Sequence, residues 1–218
     1  MNDLTNEEIF NLIFPSACKF MHADISCADK DFTDKSLRIF DTLVESSSFK
    51  AHYEFFDISD LFKTCAPFAE MSEDLSFYLS DCSQAVVIGV TLGVGVDVLS
   101  RKMAQKNLSD AVIYDALASS YLEYLTDEFT ENLCLGPHTF RFAPGYGDIP
   151  LEINDILIDS LRLSSRIGIN KTANNLMLPQ KSMITVLGIG KSMAPVCGHC
   201  PRLNSCSLRK ENLRCYNS

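Results

Sequence analysis

The chain has 218 residues, 46% hydrophobic and 22% charged, which is enough to bury a core in one domain or two small ones without disulfides and too apolar for extended disorder. Its formal charge of −9 argues against nucleic acid as a partner for the body of the protein. The opening MNDLTNEEIF has no basic region followed by an apolar run, and the most apolar stretch, AVVIGVTLGVGVDVL (85–99), is too short for a bilayer and carries Asp97. A soluble cytoplasmic protein with no membrane partner is expected.

In chain order, Thr5 and Glu8 form a capping box ahead of IFNLIF and predict a first helix. KSLRIFDTLVESS (35–47) spaces Leu37, Phe40, Leu43 and Val44 as a second, amphipathic one. HYEFFDIS (52–59) has strand composition, a helix is expected over about 71–81, and AVVIGVTL (85–92) reads as a buried strand. Two helices should follow, from Val96 to about Lys106 and from an N-cap at Ser109 to about Leu133. In the longer one Ile113, Leu117, Tyr121, Tyr124 and Leu125 make the apolar stripe, and Ala116, Ala118, Ser119 and Ser120 a small face. LEINDILIDSLRL (151–163) reads as a helix, and NLMLP (175–179) and KSMITVLGIG (181–190) as short strands divided by Pro179. This irregular order favours α+β over a doubly wound sheet.

GVTLGVG (89–95) follows a strand and precedes a helix, but its glycines are spaced G-x-x-x-G-x-G and no Lys-Ser/Thr follows. We read them as glycines of a strand end and helix entry. There is no G-x-S-x-G, the four histidines (His22, His52, His138, His199) lie in unrelated contexts, and Asp155 and Asp159 fall on the expected solvent face of a helix. No catalytic residue is assigned.

Of nine cysteines, Cys18, Cys27, Cys65, Cys82 and Cys134 are scattered and read as small hydrophobes or inert thiols. The other four, Cys197, Cys200, Cys206 and Cys215, are spaced C-x2-C-x5-C-x8-C, with His199 among them. Four thiolates could hold zinc or an iron–sulfur cluster. From Cys197 onward Arg202, Arg209, Lys210 and Arg214 face only Glu211, so this tail is about +3 against about −12 for the rest. A metal or cluster, a redox thiol pair and a plain tail are the readings left open.

The segment RFAPGYGD (141–148) concentrates unusual chemistry. Pro144 stiffens the chain, Gly145 and Gly147 permit positive φ and close approach of a ligand, Arg141 presents a fork suited to a carboxylate, and Tyr146 a flat face with a hydroxyl. A bland turn and a binding loop are both compatible with it.

Arg141-Phe142-Ala143-Pro144-Gly145-Tyr146 resembles the R-x-x-x-G-Y motif by which the activation domain of vitamin B12-dependent methionine synthase binds S-adenosylmethionine. DALASSYLEYLTDEF (115–129) resembles the helix before that motif, LMLPQKSMITVLGIG (176–190) its later strand segment, and CGHCPRLNSCSLR (197–209) the cysteine tail of free-standing bacterial members. The resemblance covers roughly residues 85–209 and implies a bent antiparallel sheet with flanking helices. Residues 1–84 would then be the N-terminal part of the same domain, 85–196 the S-adenosylmethionine-binding core and 197–218 the tail.

The resemblance further implies an accessory subunit that supports reductive remethylation of the cobalamin on a corrinoid-binding methionine synthase or a corrinoid methyltransferase. A flavodoxin or ferredoxin would supply the electron that precedes methyl transfer. Arg141 would hold the methionine carboxylate, Phe142, Ala143, Pro144, Gly145 and Tyr146 would frame the ligand, and Leu187 and Gly188 would add backbone contacts. Ser119 stands where that domain has a glutamate, so the resemblance implies that this polar contact is either lost or taken over by Asp115 or Glu123. The rival readings are an iron–sulfur electron-transfer activator and a scaffold that has lost its ligand.

Overall fold

The computed structural model describes residues 4–23, 28–172 and 176–194, which fold as two compact units. Cys27 and the tail cysteines Cys197, Cys200, Cys206 and Cys215, with His199, lie outside the described residues.

The first unit takes residues from 1–51, 90–134 and 164–183. Helix α1 (Asn6–Phe20) starts at the expected capping box: Thr5 Oγ1 accepts the Glu8 amide at 3.3 Å, and Glu8 Oε2 accepts the Thr5 amide at 2.8 Å. Helix α2 (Lys30–Ser46) begins five residues earlier than its apolar period indicates, because Asp29 caps it by accepting the Phe32 amide at 2.8 Å. Helix α5 (Val94–Lys106) and helix α6 (Leu108–Asn132) meet at Asn107. Asn107, not Ser109, is the N-cap of α6; its Oδ1 accepts the amides of Ser109 and Asp110 at 3.0 and 3.4 Å.

Helix α6 packs on α1, α2 and α5. Phe10, Phe14, Phe40 and Tyr121 fill the space between them: the Phe10 and Phe40 ring centroids lie 5.9 Å apart, and Tyr121 meets Phe40 edge-on at 5.2 Å. Burying each such ring is worth about 1.5–3 kcal/mol. Both glycines at the α5 entry are structural. Gly93 caps the helix at φ 84°, and a Cβ on Gly95 would overlap the Ser46 carbonyl. A two-residue ladder of β3 (Asn170–Lys171) and β4 (Met177–Leu178) completes this unit.

The second unit takes residues from 52–89, 135–163 and 184–194. Its sheet has the order β1 (Lys50–Asp57), β2 (Gln84–Thr91), β5 (Ser182–Ile189). The start of β2 meets the end of β5, where the Ser83 amide donates to the Ile189 carbonyl at 2.8 Å, so the two strands are antiparallel. Every residue of β2 after Gln84 is buried, as its unbroken apolar run requires. Residues 58–59, expected to continue β1, open helix α3 (Ile58–Thr64) instead.

The helix expected over 71–81 is divided. A 3-10 turn (Phe68–Met71) precedes α4 (Glu73–Leu79), because Ser72 caps α4 by accepting the Leu75 amide at 2.9 Å. The helix expected over 151–163 is likewise broken into α7 (Ile153–Ser160) and α8 (Leu163–Arg166) by Arg162, which sits at φ 51°. The fold is α+β, a three-stranded antiparallel sheet with flanking helices. Among the described residues no helix is long and apolar enough to cross a membrane.

Candidate functional site

The segment before the 141–148 loop runs along the free edge of β5. Thr139 locks it there: its amide donates to the Gly188 carbonyl and its Oγ1 accepts the Gly188 amide, both at 2.9 Å. Phe142 then exchanges two backbone bonds with Val186, at 3.1 and 2.7 Å. The structure therefore brings Arg141–Tyr146 beside Leu187 and Gly188. Leu187 is fully buried and Gly188 has both backbone groups engaged by Thr139. A Cβ at Gly188 would overlap the Cys82 sulfur, so this position has no room for a side chain.

From Arg141 to Gly145 the burial alternates, and it lapses from Tyr146 on. Phe142, Pro144 and Ile149 are buried, Arg141, Ala143 and Tyr146 are half-buried, and Gly145 is exposed. The inward residues join Leu61, Cys65, Leu75, Ile153, Leu157 and Val186 around an apolar void of about 10 Å³, close to the least space that one water needs and without polar partners for it. The underside of the loop is thus closed. Arg141, Ala143 and Tyr146 keep part of their surface in solvent, and Gly145 is exposed.

The loop's shape is set by turns. The Tyr146 amide donates to the Ala143 carbonyl (2.9 Å), the Ile149 amide to the Tyr146 carbonyl (3.0 Å) and the Gly145 amide to the Ile149 carbonyl (2.8 Å). Gly145 and Gly147 hold φ 91° and 59°, the left-handed region that side chains resist. Tyr146 belongs to an aromatic group with Phe140 (5.8 Å between centroids) and Tyr78 of α4 (6.1 Å), and Tyr78 in turn meets Phe142 at 5.1 Å.

Asp148 closes the loop against the start of α4. Its carboxylate accepts Ser72 Oγ at 2.6 Å and the amides of Glu73 and Asp74 at 2.9 and 3.1 Å, while its own amide donates to Asp74 Oδ2 at 3.0 Å. Slight burial works to raise the Asp148 pKa, but the hydrogen bonds from Ser72 and the backbone outweigh it and hold the carboxyl below its ordinary range. Sequence reasoning missed Ser72, Asp74 and Asp148. The local signal for Ser72 was its N-cap type ahead of an acidic first turn; nothing local pairs it with residue 148.

In the first unit, Ser119 Oγ accepts Lys181 Nζ at 2.8 Å and donates to the Asp115 carbonyl at 3.1 Å, and Lys181 also pairs with Asp115 Oδ1 at 2.8 Å. Glu123 is exposed on α6. Cys18 and Cys65 are buried, Cys82 is half-buried and Cys134 exposed. Burial pushes the Cys65 thiol up to about 11. Among the described residues no group of His, Cys, Asp and Glu could hold a metal.

No family model matches the chain, and no curated protein matches it in sequence. Its architecture nevertheless has a solved counterpart of similar fold. The crystal structure of the MetH reactivation domain bound to AdoHcy matches it with a TM-score of 0.55 over 96% of this chain and 84% of that one, at 13% sequence identity. At that identity the likeness is one of fold.

Proposed function

We propose that this chain binds S-adenosylmethionine along the outer face of the 141–146 loop and, as an accessory subunit, presents its methyl group to the corrinoid of a partner methionine synthase or corrinoid methyltransferase. The observation that carries the reading is the alternation in that loop. Phe142, Pro144 and Ile149 turn to the apolar interior, while Arg141, Ala143 and Tyr146 stay partly accessible to a ligand and Gly145 is exposed. The fold's counterpart is bound to AdoHcy, a molecule of the same adenosyl class.

The residues present fit such a ligand. The Arg141 guanidinium can take the amino-acid carboxylate in a two-pronged hydrogen bond, exposed Gly145 lets a ligand lie against the main chain, and Tyr146 offers a face for a flat or cationic group. The methyl group is already activated on the sulfonium, and the partner's reduced corrinoid is the nucleophile that takes it. This chain therefore moves no proton; it binds and orients. An outside one-electron donor, of the flavodoxin or ferredoxin kind, reduces the partner.

Titrating S-adenosylmethionine into the protein by calorimetry tests this. We expect binding by the wild type and a ten- to hundredfold loss in Arg141→Ala, the worth of a charge-assisted bond of about 1.5–3 kcal/mol. No heat from the wild type, or equal binding by both, would sink the proposal. A second reading, an iron–sulfur electron-transfer activator, rests on Cys197, Cys200, Cys206 and Cys215, with zinc as the alternative occupant. Colourless, metal-free protein after anaerobic purification would remove it.

A further inference from the structure

We propose that Ser72, Asp74 and Asp148 form a latch that holds the 142–149 loop in its ligand-facing conformation, and so act as positioning residues for the site. The inference rests on the ligand reading above, but its first readout needs no ligand.

Besides the buried side chains of Pro144 and Ile149, two sets of hydrogen bonds anchor the loop to other elements. Its entry is tied to β5 through Phe142 and Val186. Its internal turns then set the local shape of residues 143–149, but they bond the loop to itself. Asp148 joins the far end to another element, through four hydrogen bonds to residues 74–76 positions away in sequence.

These bonds are reciprocal, which distinguishes them from an ordinary helix cap. Asp148 accepts three donors from residues 72–74, and Asp74 accepts the Asp148 amide in return. The Ser72 hydroxyl is used on both sides, donating to Asp148 and accepting from Leu75. Asp74 is 7% exposed and its Oδ2 lies where a Cβ on Gly147 would be, so the glycine is what lets the two segments close. The same helix presents Tyr78 to the ring of Tyr146. Helix α4 thus holds the loop's closing residue with its first turn and faces its aromatic residue with its body. Releasing the first contact frees the ring and the Ala143–Gly145 backbone from their present places, while the Phe142 anchor stays.

The test uses the full chain and three variants, Asp148→Ala, Asp148→Asn and Ser72→Ala, with amide hydrogen exchange read over residues 140–150 without ligand and S-adenosylmethionine affinity read by calorimetry. We expect Asp148→Ala to speed exchange in the loop at least tenfold, leave exchange in α6 unchanged and weaken binding at least tenfold. Asp148→Asn keeps an acceptor in place and should recover part of both effects; it also serves if the alanine variant does not fold. Unchanged loop exchange in all three variants would overturn the latch. Faster exchange with unaltered affinity would reduce it to a cap of α4 and overturn the positioning role, leaving the proposed function standing. Wild-type protein that does not bind S-adenosylmethionine would overturn the proposed function and the positioning role together, and the exchange data would still decide whether the contact orders the loop.

Discussion

The packing of α6 on α1 and α2 and the seating of the 141–149 loop are held in opposite ways. The helices are joined by interdigitated rings, Phe10, Phe14, Phe40 and Tyr121, whose contribution scales with buried area and does not depend on direction or pH. The loop also buries Phe142, Pro144 and Ile149, but its far end is fixed by a few directional bonds around two carboxylates and two left-handed glycines. A body built the first way tolerates small polar changes. A loop end held the second way can be displaced by the loss of one atom, which suits the proposed binding role.

The contrast can be broken at several points. Phe40→Ala removes a fully buried ring and should cost about 3–5 kcal/mol in urea unfolding. Gly147→Ala would force a Cβ into the Asp74 carboxylate at positive φ, and about 1–3 kcal/mol of strain is expected. That variant should lose ligand binding while far-ultraviolet circular dichroism stays that of the wild type; wild-type affinity would show that the loop is not held as described. Thiol labelling at pH 8 should modify Cys134, which is exposed, well before Cys18 and Cys65, whose pKa values burial raises. Rapid labelling of Cys65 would mean that the core beneath the loop opens.

The smallest effect concerns acid. The Asp148 carboxyl is held below its ordinary value in the folded protein, so its contribution is fully present above that ordinary value, 3.8, and is lost as pH falls through the lower folded value. Loop exchange corrected for intrinsic rates should therefore be flat from about pH 8 to about pH 5 and rise only in stronger acid. A rise near neutrality would assign the control to another group.

How far these features were legible follows from the distance over which each is fixed. The β2 run and the α6 stripe carry their own periodicity, and both form where the pattern places them. The start of α6 lies two residues before the expected Ser109 because Asn107 and Ser109 are both good caps, and only the reach of the Asn107 side chain decides between them. The break at Arg162 has no local mark, since Ile153, Ile156, Leu157 and Leu161 continue the helical period up to it. In the loop, proline and glycines announced a special backbone at 144–147. The partners of Asp148 could not be read, because hydrogen bonds across more than 70 residues leave no spacing signature.

The proposed ligand contact with residues 141–146 can be located residue by residue. Amide chemical-shift mapping of the labelled full chain during addition of S-adenosylmethionine tests it most directly. Saturable shifts are expected at Ala143, Gly145 and Tyr146, and they should disappear in Arg141→Ala. Saturable shifts confined to other residues, or none at all, would contradict the proposed contact.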